Sequence, residues 1–212
     1  MLGSGRNTAS ILVCTAYVDA ITINGLRSSV DGLAIDGNKT SRDGIVINGT
    51  QSEVSNSIIQ NCAGNGIVAN YKEGQNHNKN IRNCKVFTSK LSGIVVSSND
   101  MYIRDCEVAN NEGDQQVLLA GANNRIYSCH VWSADQYVPN PNTIGIEIRG
   151  NGAQVNGCVL DRNNSFGISF NPNKQQVVTS GIVIGNWFYE NGGDIHIGEG
   201  VKNIIETGNS FN

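Results

Sequence analysis

No apolar run in this chain approaches the roughly 20 residues that a helix needs to cross a bilayer. The opening "MLGSGRNTAS" has no basic stretch leading into an apolar core, so no secretion signal is read there and the product is expected to be soluble. Excess basic charge is missing too: 15 Lys and Arg stand against 18 Asp and Glu, a net charge of -3. That balance gives no electrostatic reason to bind nucleic acid or an anionic membrane. Proline is scarce, at 3, and charged residues make up only 16% of the chain. With 25 Gly and much Asn, the composition suits short strands joined by tight turns, and long helices are hard to place.

What is present is a repeat. "NIRNCKVF" at 80–87 returns as "YIRDCEVA" from Tyr102 and "RIYSCHVW" from Arg125. Aligning these units gives a column of Leu33, Ser57, Cys84, Cys106, Cys129, Cys158, Asn186 and Asn209. Three residues earlier stand Val30, Val54, Ile81, Ile103, Ile126, Val155 and Val183, and two later Ile35, Ile59, Val86, Val108, Val131, Leu160, Phe188 and Phe211. Strand side chains alternate with period two, so residues three apart share a face only if the chain bends between them. The residue before the column is Gly32, Asn56, Asn83, Asp105, Ser128, Gly157, Gly185 or Gly208, which are the types that tolerate a left-handed backbone. A corner is therefore expected on every turn.

A second unit recurs as "GIVI" (44–47), "GIVA" (66–69), "GIVV" (93–96), "QVLL" (116–119), "GIEI" (145–148), "GISF" (167–170) and "DIHI" (194–197). Each turn then holds three short strands. Turns stacked about 4.8 Å apart put equivalent strands in parallel ladders around an apolar interior. About seven such coils are expected, all in one domain over 1–212. Neither end offers a convincing cap, which reads as a piece of a longer chain.

The column cysteines fit a zinc site poorly, because they stand one per rung in a line and do not converge on a point. In-register side chains also run parallel, which is poor geometry for a disulfide. Buried reduced thiols filling one ladder fit best, since Ser57 and Asn186 occupy the same column. Cys14 and Cys62 lie off the ladder and receive no reading. His77, His130 and His196 show no ligand spacing, so no metal is expected, and nothing in the chain calls for a cofactor. "GSGRNT" lacks the Gly-Lys-Ser/Thr ending of a phosphate loop.

Taken together, "GSGRNTASILV", "GLAIDGN" at 32–38 and the two repeated units resemble the pectate-lyase-like family of single-stranded right-handed parallel β-helices, over essentially the whole chain. The motifs specify this all-β solenoid strongly and an activity weakly. The resemblance implies that saccharide lies in a groove walled by long loops. Three loops exceed minimum length, at 70–80, 132–143 and 171–179, and all border the sheet of "GI.I" strands. The outward row of that sheet reads Val46, Val68, Val95, Leu118, Glu147, Ser169 and His196. Its apolar half implies a cover, either the 70–80 loop or, slightly favoured, a neighbouring subunit.

Glu147 with Asp135 or Asp161 is the candidate catalytic pair, because glycoside hydrolysis needs two carboxylates about 5 to 9.5 Å apart. The same Glu147 has a plainer reading as the partner of Arg149. Tyr137 sits in the loop that overhangs Glu147. After the corner, outward positions carry Lys85, Glu107, His130, Val159 and Trp187, then Phe87, Trp132, Asp161 and Tyr189. Rings stacked along a ladder can grip sugars through their apolar faces. Trp132, Tyr137, His130, Trp187 and His196 are accordingly the candidate substrate contacts.

No Asp cluster of the pectate-lyase kind is found, and no motif matches alginate-type epimerases or lyases. Short, Asn-rich turns resemble bacteriophage tailspikes and appendages instead. That resemblance implies a homotrimer on the virion tail that binds bacterial surface polysaccharide or teichoic acid and cleaves it. A binding-only adhesin stalk and a monomeric polysaccharide lyase are the alternatives.

Overall fold

The computed structural model describes residues 11–73, 77–134, 140–171 and 178–212. Among these residues 25 strands and no helix occur, and every strand pairing is parallel. Among the described residues no helix is therefore long and apolar enough to cross a membrane. Three sheets of nine, eight and eight strands run the length of the molecule. Sheet 1, from Ile11–Val13 to Ser210–Phe211, follows the thiol corner. Sheet 2, from Ile21–Ile23 to Ile195–Ile197, holds the "GI.I" strands. Sheet 3, from Ser29–Asp31 to Ile204–Thr207, precedes the corner. The chain passes from sheet 2 to 3 to 1 in each of about eight turns; the turn beyond the expected seven starts with Ile21–Ile23, which lacks the leading Gly that most of the later units carry.

The corner follows from backbone chemistry. All eight residues before the thiol column have positive φ, between 50° at Ser128 and 69° at Gly32. Inward residues then meet in one dry core: in the second turn Ile45, Ile47, Val54, Ile59 and Cys62 are all fully buried. Each such aliphatic side chain contributes about 1.5 to 3 kcal/mol on burial. Backbone amides are satisfied by the rungs above and below, so the stack grows only by adding coils.

All six cysteines are free and buried. The ladder thiols donate to the carbonyl two residues back, at 3.3 Å for Cys84, 3.2 Å for Cys106 and Cys129, and 3.5 Å for Cys158. Ser57 does the same at 2.7 Å. At the other end Asn186 accepts from the Cys158 amide at 2.9 Å and donates to the Val155 carbonyl at 2.9 Å. Cysteine is thus one of several residues that fill the position. Hydrogen bonding to Cys106 and burial together push the Cys84 thiol far above its ordinary value, so it stays protonated.

Cys62 has a place after all. A second left-handed corner, at Asn61, Thr88, Asn110, Arg162 and Glu190 with φ of 49° to 57°, joins sheet 1 to sheet 2. Behind it Cys62, Ser89, Asn111 and Asn163 form a second buried column. Asn111 and Asn191 cap the preceding rung there, accepting from the amides of Ser89 and Asn163 at 3.0 Å.

Candidate functional site on sheet 1

Two outward columns cross sheet 1 in register. The first runs Ile58, Lys85, Glu107, His130, Val159, Trp187, and the second Gln60, Phe87, Ala109, Trp132, Asp161, Tyr189. In the second column Ala109 stands between Phe87 and Trp132, two rungs or about 9.6 Å apart along the axis. The small side chain between two large ones leaves a groove of about 400 Å³, lined by Ile58, Lys85, Phe87, Glu107, Ala109, Asn110 and Trp132.

Charged groups fix its walls. Lys85 Nζ donates to Glu107 Oε2 at 2.5 Å, and the Trp132 indole Nε1 donates to Glu107 Oε1 at 3.4 Å. Burial alone would raise the Glu107 pKa; the Lys85 ammonium and the Trp132 N–H outweigh it and hold the carboxyl below its ordinary value. Glu107 is therefore a carboxylate at neutral pH. On the far side of Trp132, the Arg162 guanidinium lies 5.5 Å from the ring centre, and His130 stacks at 6.0 Å. Arg162 also donates two bonds to Asp161, at 2.8 and 3.0 Å, while His130 Nε2 is 3.5 Å from Asp161 Oδ2. That last distance is too long to count as a hydrogen bond. The His130–Trp132 strand thus separates two carboxylates, Glu107 and Asp161, standing two rungs apart.

The anticipated residues divide between two faces. His130, Trp132, Asp161 and Trp187 lie on sheet 1, Trp187 being 48% exposed and 5.7 Å from Tyr189. Glu147 and His196 lie on sheet 2, in the expected outward row. Glu147 is 2% exposed; both its oxygens accept from Arg149, at 3.0 and 2.8 Å, and Oε1 also accepts from Asn171 at 3.0 Å. His196 Nδ1 is 3.0 Å from Ser169 Oγ, and its ring stacks on Phe166 at 4.8 Å. Glu147 and Asp161 thus occupy different sheets, each with its own arginine. Asp135 and Tyr137 lie outside the described residues. Val46, Val68 and Leu118 are already buried within the single chain and Val95 is half-buried, so this stripe lends little support to a subunit interface.

Lys85, Glu107 and Arg162 were not singled out from sequence as site residues. Lys85 and Glu107 were visible as outward positions, but their pairing and the gap at Ala109 appear only once neighbouring rungs are in register. Among the described residues no group of three or more His, Cys, Asp or Glu is placed to hold a metal.

A parallel solenoid with an aromatic-walled groove on an outer sheet defines the class. The chain belongs to the right-handed β-helix family, whose description is "right handed beta helix region" and which matches residues 43–211. No curated protein matches the sequence. Among solved structures, it is similar to the A-module of a mannuronan C-5 epimerase of Azotobacter vinelandii: TM-score 0.67, 14% identity, 95% of this chain and 57% of that one. A periplasmic alginate epimerase gives 0.70 at 16% identity, over 87% and 46%. A tailspike protein of an Acinetobacter baumannii bacteriophage, a capsular polysaccharide depolymerase, gives 0.62 at 13%, over 95% and 47%. The chain spans about half the length of these structures. At such identities the likeness is one of fold.

Proposed function

We propose that this chain is the β-helix domain of a phage tailspike or similar appendage, and that its sheet 1 groove binds bacterial surface glycan. The observation that carries the reading is the gap at Ala109, walled by Phe87 and Trp132 and edged by the Lys85–Glu107 pair. Sugar rings offer apolar faces to aromatic walls and hydroxyls to charged edges, so the groove suits them chemically. The tailspike and epimerase neighbours, all named for polysaccharides, agree with that reading. Trp132→Ala should lower glycan affinity by about tenfold, from loss of about 1.4 kcal/mol of ring contact. Ala109→Leu should fill the groove and abolish binding with the melting temperature little changed. Both are read by titration calorimetry on bacterial surface glycans. Retained affinity in both variants rejects the groove.

Cleavage is the second step of the proposal, and Asp161 and Glu107, two rungs apart across Trp132, are its carboxylates. They stand two rungs, about 9.6 Å, apart along the axis and in different columns, at or beyond the widest carboxylate spacing of inverting glycosidases, so a sugar would have to bridge both columns. Glu147, with Asp135 or Asp161, remains the alternative pair. Depolymerisation is read by released reducing ends for hydrolysis, or by ultraviolet absorbance of an unsaturated product for elimination. Asp161→Asn should lower the rate at least about a hundredfold if it is the acid or base. Loss of rate in Glu147→Gln with full rate in Asp161→Asn would move the chemistry to sheet 2. Intact polymer with measurable binding would leave a receptor-binding stalk; the observation favouring that reading is that Glu107, Asp161 and Glu147 are each already tied to a cation.

A further inference from the structure

We infer that the glycan held on sheet 1 is uncharged, made of neutral or N-acetylated sugars, and is not a uronate or otherwise acidic polymer. The inference rests on the reading of sheet 1 as a glycan-binding face. Among the described residues, the sheet 1 strands from Ile58 to Tyr189 and the corners after them carry three fixed cations, Lys85, Lys90 and Arg162. Each is held by a carboxylate: Lys85 by Glu107 at 2.5 Å, Lys90 by Glu112 at 2.6 and 2.7 Å, and Arg162 by Asp161 at 2.8 and 3.0 Å. Asp114, Glu190 and Asp194 add further carboxylates in the links after these strands.

Recognition of a sugar carboxylate calls for a free cation, and best for a guanidinium offering two parallel donors. Arg162 already gives two donors to Asp161. An acidic sugar entering the groove would have to break the Lys85–Glu107 or the Arg162–Asp161 pair, and would still face the displaced carboxylate. A neutral sugar meets neither obstacle. Its ring lies against Phe87 or Trp132, and its hydroxyls reach Glu107 Oε1 and Asn110 at the rim while the ion pairs stay closed. The chain's net charge of -3 acts in the same direction at long range.

The test is a titration with two sets of oligosaccharides of matched length. One is uncharged, of glucose, galactose and N-acetylglucosamine; the other is carboxylated, oligomannuronate and oligogalacturonate. Each is run at low and high salt. At least one uncharged oligosaccharide should bind about tenfold or more tighter than either acid, with affinity insensitive to salt and lost in Trp132→Ala. Glu107→Gln, which frees the Lys85 ammonium, should narrow the preference by admitting the acids. Tighter binding of oligomannuronate or oligogalacturonate by the unaltered protein, weakening as salt rises, overturns the inference and leaves the glycan-binding reading standing. Binding of neither set removes that reading itself, and the inference with it.

Discussion

Lys79 shows what a single side chain does when the coil gives it no choice of direction. It precedes the sheet 3 strand Asn80–Arg82, at the inward position that Ser52, Met101 and Asn124 fill on neighbouring rungs, and like them it is fully buried. Its ammonium donates to the Asn70 carbonyl, and no carboxylate among the described residues answers it. Burial pushes its pKa down from 10.5 to about 8. The unfolded chain therefore holds this proton more tightly than the folded one, and stability is lowest below pH 8 and rises until the unfolded lysine also titrates near 10.5. The shift corresponds to on the order of 3 kcal/mol. Lys79→Met should raise the stability at pH 7 and remove the rise between pH 8 and 10.5, as read by urea unfolding across that range. An unchanged pH profile in the variant would show that Lys79 is solvated in the folded protein.

Corners are the elements on which the architecture depends. The left-handed residue before the thiol column was legible from residue type alone, because Gly, Asn, Asp and Ser cluster there. The second corner was not, since Thr88, Arg162 and Glu190 share its positive φ without being residues that favour it. There the stacked ladder imposes the backbone and the residue follows. Ser128 tests the first corner cleanly, being exposed with a φ of 50°. Ser128→Val should cost about 2 kcal/mol, because a β-branched side chain meets the carbonyl in that conformation. Ser128→Gly should hold or slightly raise stability. Equal loss in both variants would indicate that the Ser hydroxyl, and not the backbone geometry, matters. Close approach acts at other positions: a Cβ on Gly121 would lie 1.9 Å from the Ser98 carbonyl oxygen.

For the molecule as a whole, the open question is how many copies act together. Most of the sheet 2 stripe that suggested an interface, Val46, Val68 and Leu118, is buried within one chain, with Val95 half-buried. Sheet 3 offers a different surface, with Ile205 56% and Ile184 38% exposed. The tailspike resemblance implies a homotrimer, for which light scattering should give three times the chain mass of 22.7 kDa. A mass of one chain would favour the monomeric alternative. Ile205→Lys should then lower the mass of the assembly without altering the coil, since the side chain faces outward.

At this same scale the sequence determined the winding. Periodic Ile and Val, a turn-prone residue at a fixed offset and a column that accepts Cys, Ser or Asn leave few folds open, because inward and outward positions follow from the period. It also placed Glu147, His130, Trp132, Asp161 and Trp187 on outward columns. What it could not decide was which outward residues meet, since that depends on rungs some 22 to 29 residues apart, on the lean of long side chains, and on which carboxylate finds a cation. Trp132 settled between Arg162 and Glu107, and Ala109 opened a groove. Those are contacts across the stack, and only the tertiary structure brings their partners together.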